Sequence, residues 1–298
     1  MSDEYKNYIH FGTSSWAFEG WKGIVYFKDY PSGRFKKDCL AEYAADQRFD
    51  TVGMDLFFYQ PPTESILEHY ARQLPPNFKT CSKVWDQLTI FRYPNHPRYG
   101  KMKGQINPNF LNAEIFVNKV LKPYQQAFYD HTGPFIFEFQ YMKATDKSVE
   151  EFSIDLDKFF AAIPKEFQYS VEIRNKNFLK SNYFNVLQEH NVGHVFNQWS
   201  YMPPISEQIK YNSVTTDFIV ARILTPIGMS YQQTVKNFEP FDKIINPLPA
   251  MRADVMKLVE IAVKSKKIAY LLINNRVEGC APRTIEELQM MIKQLFKK

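Results

Sequence analysis

Strand-like and helix-like segments take turns along the whole of this 298-residue chain. This alternation constrains the fold more than any other feature. A strand, a crossover helix and a second strand form one parallel unit, and repetition of that unit builds a parallel sheet covered by helices. Strand patterns occupy residues 8–14, 50–58, 78–84, 133–140, 169–175, 192–198, 217–224 and 268–274. Helix patterns occupy 36–47, 63–74, 110–126, 148–162, 181–190, 204–210, 250–265 and 283–296. Eight of each predict an α/β fold, a (β/α)8 barrel of TIM type, with an open doubly wound sheet as the alternative.

Two stretches interrupt the rhythm. Residues 85–109 hold Pro94, Pro97, Gly100, Gly104 and Pro108, and residues 225–249 hold Pro226, Gly228, Pro240, Pro247 and Pro249. They predict long rim loops after strands three and seven. With no repeat, low-complexity tract or linker, residues 1–298 read as a single barrel domain.

A hydrophobic content of 45% is ample for a large core, and a net charge of +5 admits anionic ligands without arguing for a nucleic-acid or membrane surface. Cys39, Cys81 and Cys280 are odd in number and lie in no CxxC pattern, which favours a reducing compartment and no structural metal. Met1-Ser2-Asp3-Glu4 is polar, not a secretory signal, and no apolar run approaches the roughly 18 residues of a membrane helix. A cytoplasmic protein with no membrane partner is expected.

The stretch with most chemistry is Tyr169-Ser170-Val171-Glu172-Ile173-Arg174-Asn175. Glu172 and Arg174 are two apart and leave the same face of a strand. Either they compensate each other on a half-solvated strand, or they stand at the open end of a barrel strand facing a ligand. Polar residues end the other strands too: Ser14 and Ser15, Asp55, Lys83, Glu138 and Gln140, Asn197 and Gln198, Arg222, and Asn274 with Asn275. Function in such barrels lies at the C-terminal ends of the strands. Alternation turns Phe135, Phe137 and Phe139 toward helices and Glu138 inward, and turns Ile219, Ala221 and Ile223 outward with Arg222 inward.

Glu138 and Glu172 on neighbouring strands could serve as general acid and base, or flank a glycosidic bond if an open gap of about 5–9 Å separates them. The aromatic rim, with Trp16, Trp21, Tyr59, Trp85, Trp199 and Tyr201, suits stacking on sugars or bases, against simple loop packing as the other reading. Asn274 through Pro282 lead into the last helix. Ala281 as N-cap would leave N–H groups free for an anion, and Gly279 would let a ligand approach the backbone. Arg92, Arg98, Lys101 and Lys103 form either a basic lid or a solvated loop.

No histidine pair has metal-binding spacing, and no Walker, GxGxxG or GxSxG motif is present. No cofactor is expected. A divalent metal held by Asp55, Glu138 and Glu172 is the alternative.

Phe11-Gly12-Thr13-Ser14-Ser15-Trp16, Trp21-Lys22-Gly23, Phe58-Tyr59 with Pro61, Lys83, Gly133-Pro134, Val171-Glu172-Ile173-Arg174-Asn175 and Asn274-Asn275 through Gly279 together resemble the YecE-like family, domain of unknown function 72. The resemblance spans nearly the whole chain and implies a TIM-barrel-like fold, without bringing an established activity. The chain departs from the family pattern at Gly53, where a Glu is common, and at Glu138, where a Gln is common.

The residues favour an enzyme acting on a polar, sugar-containing or phosphorylated small substrate. Glu172 is read as the acid/base group, Arg174 as its orienting cation, Lys83 and Arg222 as anion contacts and Glu138 as a second carboxylate. Trp16, Trp21, Asp55, Tyr59, Trp199, Asn274, Asn275 and Gly279 are read as further substrate contacts. The alternatives are a non-catalytic binder of a sugar, nucleotide or nucleic-acid strand, and a metal-assisted phosphoesterase. The small anionic ligand is favoured over nucleic acid.

Overall fold

The computed structural model describes residues 4–297, so most of the polar N-terminal tetrapeptide lies outside the described residues. Eight parallel strands form one sheet: β1 (Ile9–Thr13), β2 (Thr51–Met54), β3 (Lys79–Lys83), β4 (Thr132–Phe139), β5 (Tyr169–Ile173), β6 (Val192–Gln198), β7 (Phe218–Ile223) and β8 (Ile268–Ile273). The ladder runs from β2 through β3 to β8 in sequence order and then to β1, with helices in the crossovers. β1 and β2 come together to make a nearly closed (β/α)8 barrel.

The pleat sorts side chains as the alternation predicts. Phe135, Phe137 and Phe139 of β4 pack outward in the large core beneath the helices. Ile136 joins Cys81, Val195, Phe218, Val220, Tyr270 and Leu272 in a separate apolar cluster that fills the barrel interior. The interior is therefore a largely apolar packed plug, with the charged side chains in the layer above it.

Local chemistry sets the helices. Val149–Ala162 opens with a capping box, in which the Glu151 N–H donates to Ser148 Oγ at 3.1 Å and the Ser148 N–H to Glu151 Oε2 at 2.8 Å. Phe152, Phe159 and Phe160 then bury one stripe against β4. The segment predicted as one helix over 110–126 contains a π turn at Phe116–Leu121. Pro123 follows directly and cannot donate a backbone hydrogen bond to the preceding turn, which a wider turn accommodates.

Three boundaries differ from the sequence expectation. The second strand stops at Met54, and Asp55–Phe58 is a 3-10 turn. The helix predicted over 36–47 is broken at Cys39 into Phe35–Asp38 and Leu40–Ala45. The loop after β7 contains a capped helix, Tyr231–Phe238. Its sequence does carry a signal: Ser230 and Gln233 stand at capping-box spacing, and Tyr231, Val235 and Phe238 recur at i, i+4 and i+7.

The β1–β2 seam is built differently from the other seven. A Cβ on Gly12 would sit 2.1 Å from the Thr51 carbonyl oxygen, so only glycine lets the strands approach this closely. Pairing is partly replaced by a side chain: the Thr13 N–H donates to the Tyr43 hydroxyl at 2.9 Å, and that hydroxyl lies 3.3 Å from the Thr51 carbonyl oxygen as donor. Tyr43 is fully buried and stacks on Phe49 at 4.2 Å.

Among the described residues, no helix is long and apolar enough to cross a membrane.

Candidate functional site at the barrel mouth

Arg222 sits at the centre of the polar layer, 2% exposed. Its Nη1 donates to Glu172 Oε2 at 2.5 Å and Glu138 Oε2 at 2.7 Å, and its Nη2 donates to Asp55 Oδ2. One guanidinium from β7 thus gathers carboxylates from β4, β5 and the end of β2. Burial disfavours its charge, but Asp55, Glu172 and Glu138 outweigh that and raise its pKa well above the usual value.

Glu138 and Glu172 are register partners on adjacent strands, which sets two like charges side by side. Two more cations make this tolerable. Lys83 Nζ lies 2.9 Å from Glu138 Oε2, and Arg174 Nη2 lies 3.1 Å from Glu138 Oε2 and 2.7 Å from Glu172 Oε1. Burial pushes the Glu138 carboxyl up, yet Lys83, Arg174 and Arg222 overcome it and hold the group well below the usual carboxylate range. The cluster contains three carboxylates and three cations, so its formal charges cancel.

Aromatic faces complete the cations. Lys83 Nζ lies 3.8 Å above Phe58, and the Arg174 guanidinium lies 4.7 Å above Trp199. Arg174 Nη1, Arg222 Nε and Asn197 Oδ1 are buried with no hydrogen-bond partner.

Two cavities open beside the cluster. The larger, about 600 Å³, is lined by Glu138, Arg174, Trp199 and Gln140, together with Phe91 and Tyr93 from the loop after β3. The smaller, about 250 Å³, lies over β1 and β8 and is lined by Ser14, Trp21, Asp55, Asn274, Asn275 and Arg276.

The fold therefore brings Lys83, Glu138, Glu172, Arg174, Arg222 and Asp55 into one bonded group. Other expected residues have different places. Glu172, within that group, is 0% exposed, pairs with Arg174 and Arg222, and lines neither cavity. No open gap separates Glu138 from Glu172, because Arg222 Nη1 bonds to both, so the geometry for glycoside cleavage is absent. Trp16 is buried and packs edge-on against Tyr70, bordering neither cavity. Trp21 is also buried but lines the smaller cavity, and its Nε1 donates to Asn275 Oδ1 at 3.2 Å. Tyr59 stays 63% exposed under the Arg98 guanidinium, 4.6 Å away.

The anion seat expected before the last helix is already filled. The helix begins at Ala281 with Cys280 as N-cap, and the Ala281 N–H donates to Asn275 Oδ1 at 2.9 Å. The buried Glu278 carboxylate accepts from Thr284 Oγ1 at 2.9 Å and pairs with Arg252 at 2.9 Å. Gly279 (φ +119°) serves a backbone approach: a Cβ there would sit 2.6 Å from the Lys243 carbonyl oxygen. Its neighbour is the chain itself and not a ligand.

The loop after β3 is an ordered strap. Asn107 Nδ2 donates to the carbonyls of Gln87 and Ile90, while Arg98 pairs with Asp86 and Arg92 with Asp146. Two of its four expected lid cations are thus spent internally. Among the described residues, no group of three or more His, Cys, Asp or Glu side chains could hold a metal ion. Asp55 Oδ2, Glu138 Oε2 and both Glu172 oxygens are held by arginine or lysine.

Sequence reasoning did not single out Arg276. It lies three residues beyond the end of β8 and lines the smaller cavity. The signal was its adjacency to Asn274-Asn275.

A family model described as protein of unknown function DUF72 matches residues 10–298. A DUF72 family protein from Enterococcus faecalis superposes with a TM-score of 0.66 at 16% identity, covering 96% of this chain and 97% of that one. A DUF72 family protein from Thermotoga maritima superposes with a TM-score of 0.65 at 19% identity, covering 96% of this chain and 99% of that one. A search of curated proteins finds no match. The two structural likenesses concern the fold, which is the barrel described above. The family model spans almost all of the sequence, and the chain belongs to the DUF72 family.

Proposed function

We propose that this chain is an enzyme acting on a small polar substrate, sugar-containing or phosphorylated, at the C-terminal mouth of the barrel. One observation carries the reading: Glu138 joins the central ion cluster and also borders the larger cavity. Held below the usual carboxylate range by Lys83, Arg174 and Arg222, it stays ionised at neutral pH. It is therefore suited to accept a hydrogen bond from a substrate hydroxyl and to stabilise positive charge that develops beside it, and unsuited to act as a general acid. In this proposal Glu138, not Glu172, is the carboxylate that meets the substrate, and Glu172 becomes a positioning residue for Arg174 and Arg222. Trp199, which gives one face to Arg174 and also lines the larger cavity, supplies apolar surface beside a sugar ring.

A panel of sugars and sugar phosphates, followed by Glu138→Gln on whichever is turned over, tests this. The variant is expected to lower kcat by about 10²-fold or more with little change in KM. Equal turnover by the variant would remove Glu138 from the chemistry.

A binding reading has its own support. Tyr59, Tyr141, Tyr201 and Tyr231, from four of the loops at the mouth, are all exposed. Exposed rings around the mouth suit stacking on bases, and a steep salt dependence of single-strand binding would favour that reading.

A further inference from the structure

Arg276 is the cation of the mouth that the central cluster does not neutralise. Lys83, Arg174 and Arg222 balance Asp55, Glu138 and Glu172, whereas Arg276 has no carboxylate within ion-pair distance among the described residues. Its guanidinium lies 4.6 Å from the Tyr231 ring, a contact that leaves its edge N–H groups unused, and its buried Nε has no hydrogen-bond partner. Desolvation lowers its pKa from the ordinary arginine value, yet the group remains charged at neutral pH. A half-buried charge with no carboxylate in ion-pair distance is costly, and an incoming anion would relieve that cost.

The surroundings are arranged for more than charge. Ser14, 4% exposed, lines the same cavity, and its Oγ has no partner. Asp55 gives one oxygen to Arg222, and its other, Oδ1, is buried and unpartnered. Asn275 accepts through Oδ1 from both Trp21 Nε1 and the Ala281 N–H, which leaves its NH2 as a donor. Phe18, Trp21 and Phe241 form the apolar side of the cavity. Cationic and neutral donors, one carboxylate acceptor and an aromatic wall thus converge on about 250 Å³, somewhat below the size of a drug-sized pocket.

We infer that this smaller cavity binds a small oxyanion that also carries a hydroxyl group, with Arg276 anchoring the anion, Ser14 and Asn275 donating to it, and Asp55 Oδ1 accepting from the hydroxyl. The inference is independent of any chemistry at Glu138, which does not line this cavity.

Calorimetric titration of the full chain with inorganic phosphate, glycerate and glycerol tests it. Both anions are expected to bind and neutral glycerol is not, and the tighter of the two anions identifies the phosphoryl or the carboxylate as the better fit. Arg276→Gln is expected to weaken anion binding at least about tenfold, the scale of one lost hydrogen bond to a charged group. Arg276→Lys, which keeps the charge but loses the fork, should weaken it less, and it remains informative if the glutamine variant folds poorly. Arg283→Gln, which removes an exposed cation paired with Glu286, controls for net charge and should bind as wild type does. Glycerol binding as well as the anions, no binding of either anion, or unchanged affinity in both Arg276 variants would overturn the inference.

Discussion

Arg222 concentrates the energetics of the mouth in one side chain. Three carboxylates depend on it, one of them with no exposed surface. Buried ion clusters add little net stability as a whole, but removing one partner strands the others and typically costs about 3–5 kcal/mol. Arg222→Gln is therefore expected to lose that much in a denaturant titration, and a midpoint close to wild type would show that the carboxylates find other partners. His194 makes a separate residue-scale prediction. Burial depresses its pKa from 6.5 to about 4, although Gln208 pulls the other way. The unfolded chain thus takes up this proton near pH 6.5, while the folded chain resists until about pH 4. Stability from this group is present at neutral pH and declines as pH falls through that window, by up to about 3 kcal/mol. Comparing His194→Gln with wild type across the window isolates the term, and parallel stability curves would refute it.

At the scale of elements, the predicted strands nearly coincide with the observed ones because alternation and apolar density report directly on the pleat. Residues 192–198 were placed to the residue, as Val192–Gln198. Periodicity carries no signal for the short 3-10 turn after β2 or the π turn before Pro123, whereas the amphipathic helix Tyr231–Phe238 was masked by the prolines of its loop. The polar ring was legible as a set, since it needs only strand ends and inward alternation. Who bonds to whom was not. Glu172 and Arg174 do pair, but Arg222, distant in sequence, also bonds to Glu172 and to the cavity-lining Glu138, which no local pattern reveals. Tyr43 was invisible in the same way, since its role exists only where two strands close. Tyr43→Phe keeps the stack on Phe49 but removes the hydroxyl between Thr13 and Thr51, and about 1–3 kcal/mol of stability should be lost. A thermal midpoint unchanged from wild type would mean those groups pair directly.

For the whole molecule, family membership and barrel agree with the strand count, because topology follows from element order once eight parallel units are recognised. Net charge of +5 revealed little about function, since the charges that matter are those few that the fold desolvates. The Tyr43 seam has a consequence of its own. β1 is laced to β8 through five register pairs, whereas its contact with β2 relies in part on one phenol borrowed from a neighbouring helix. Such a ring has a preferred place to breathe: deuterium should enter at the β1–β2 join before the β1–β8 ladder, and each such excursion would loosen the staves that carry Ser14 and Asp55.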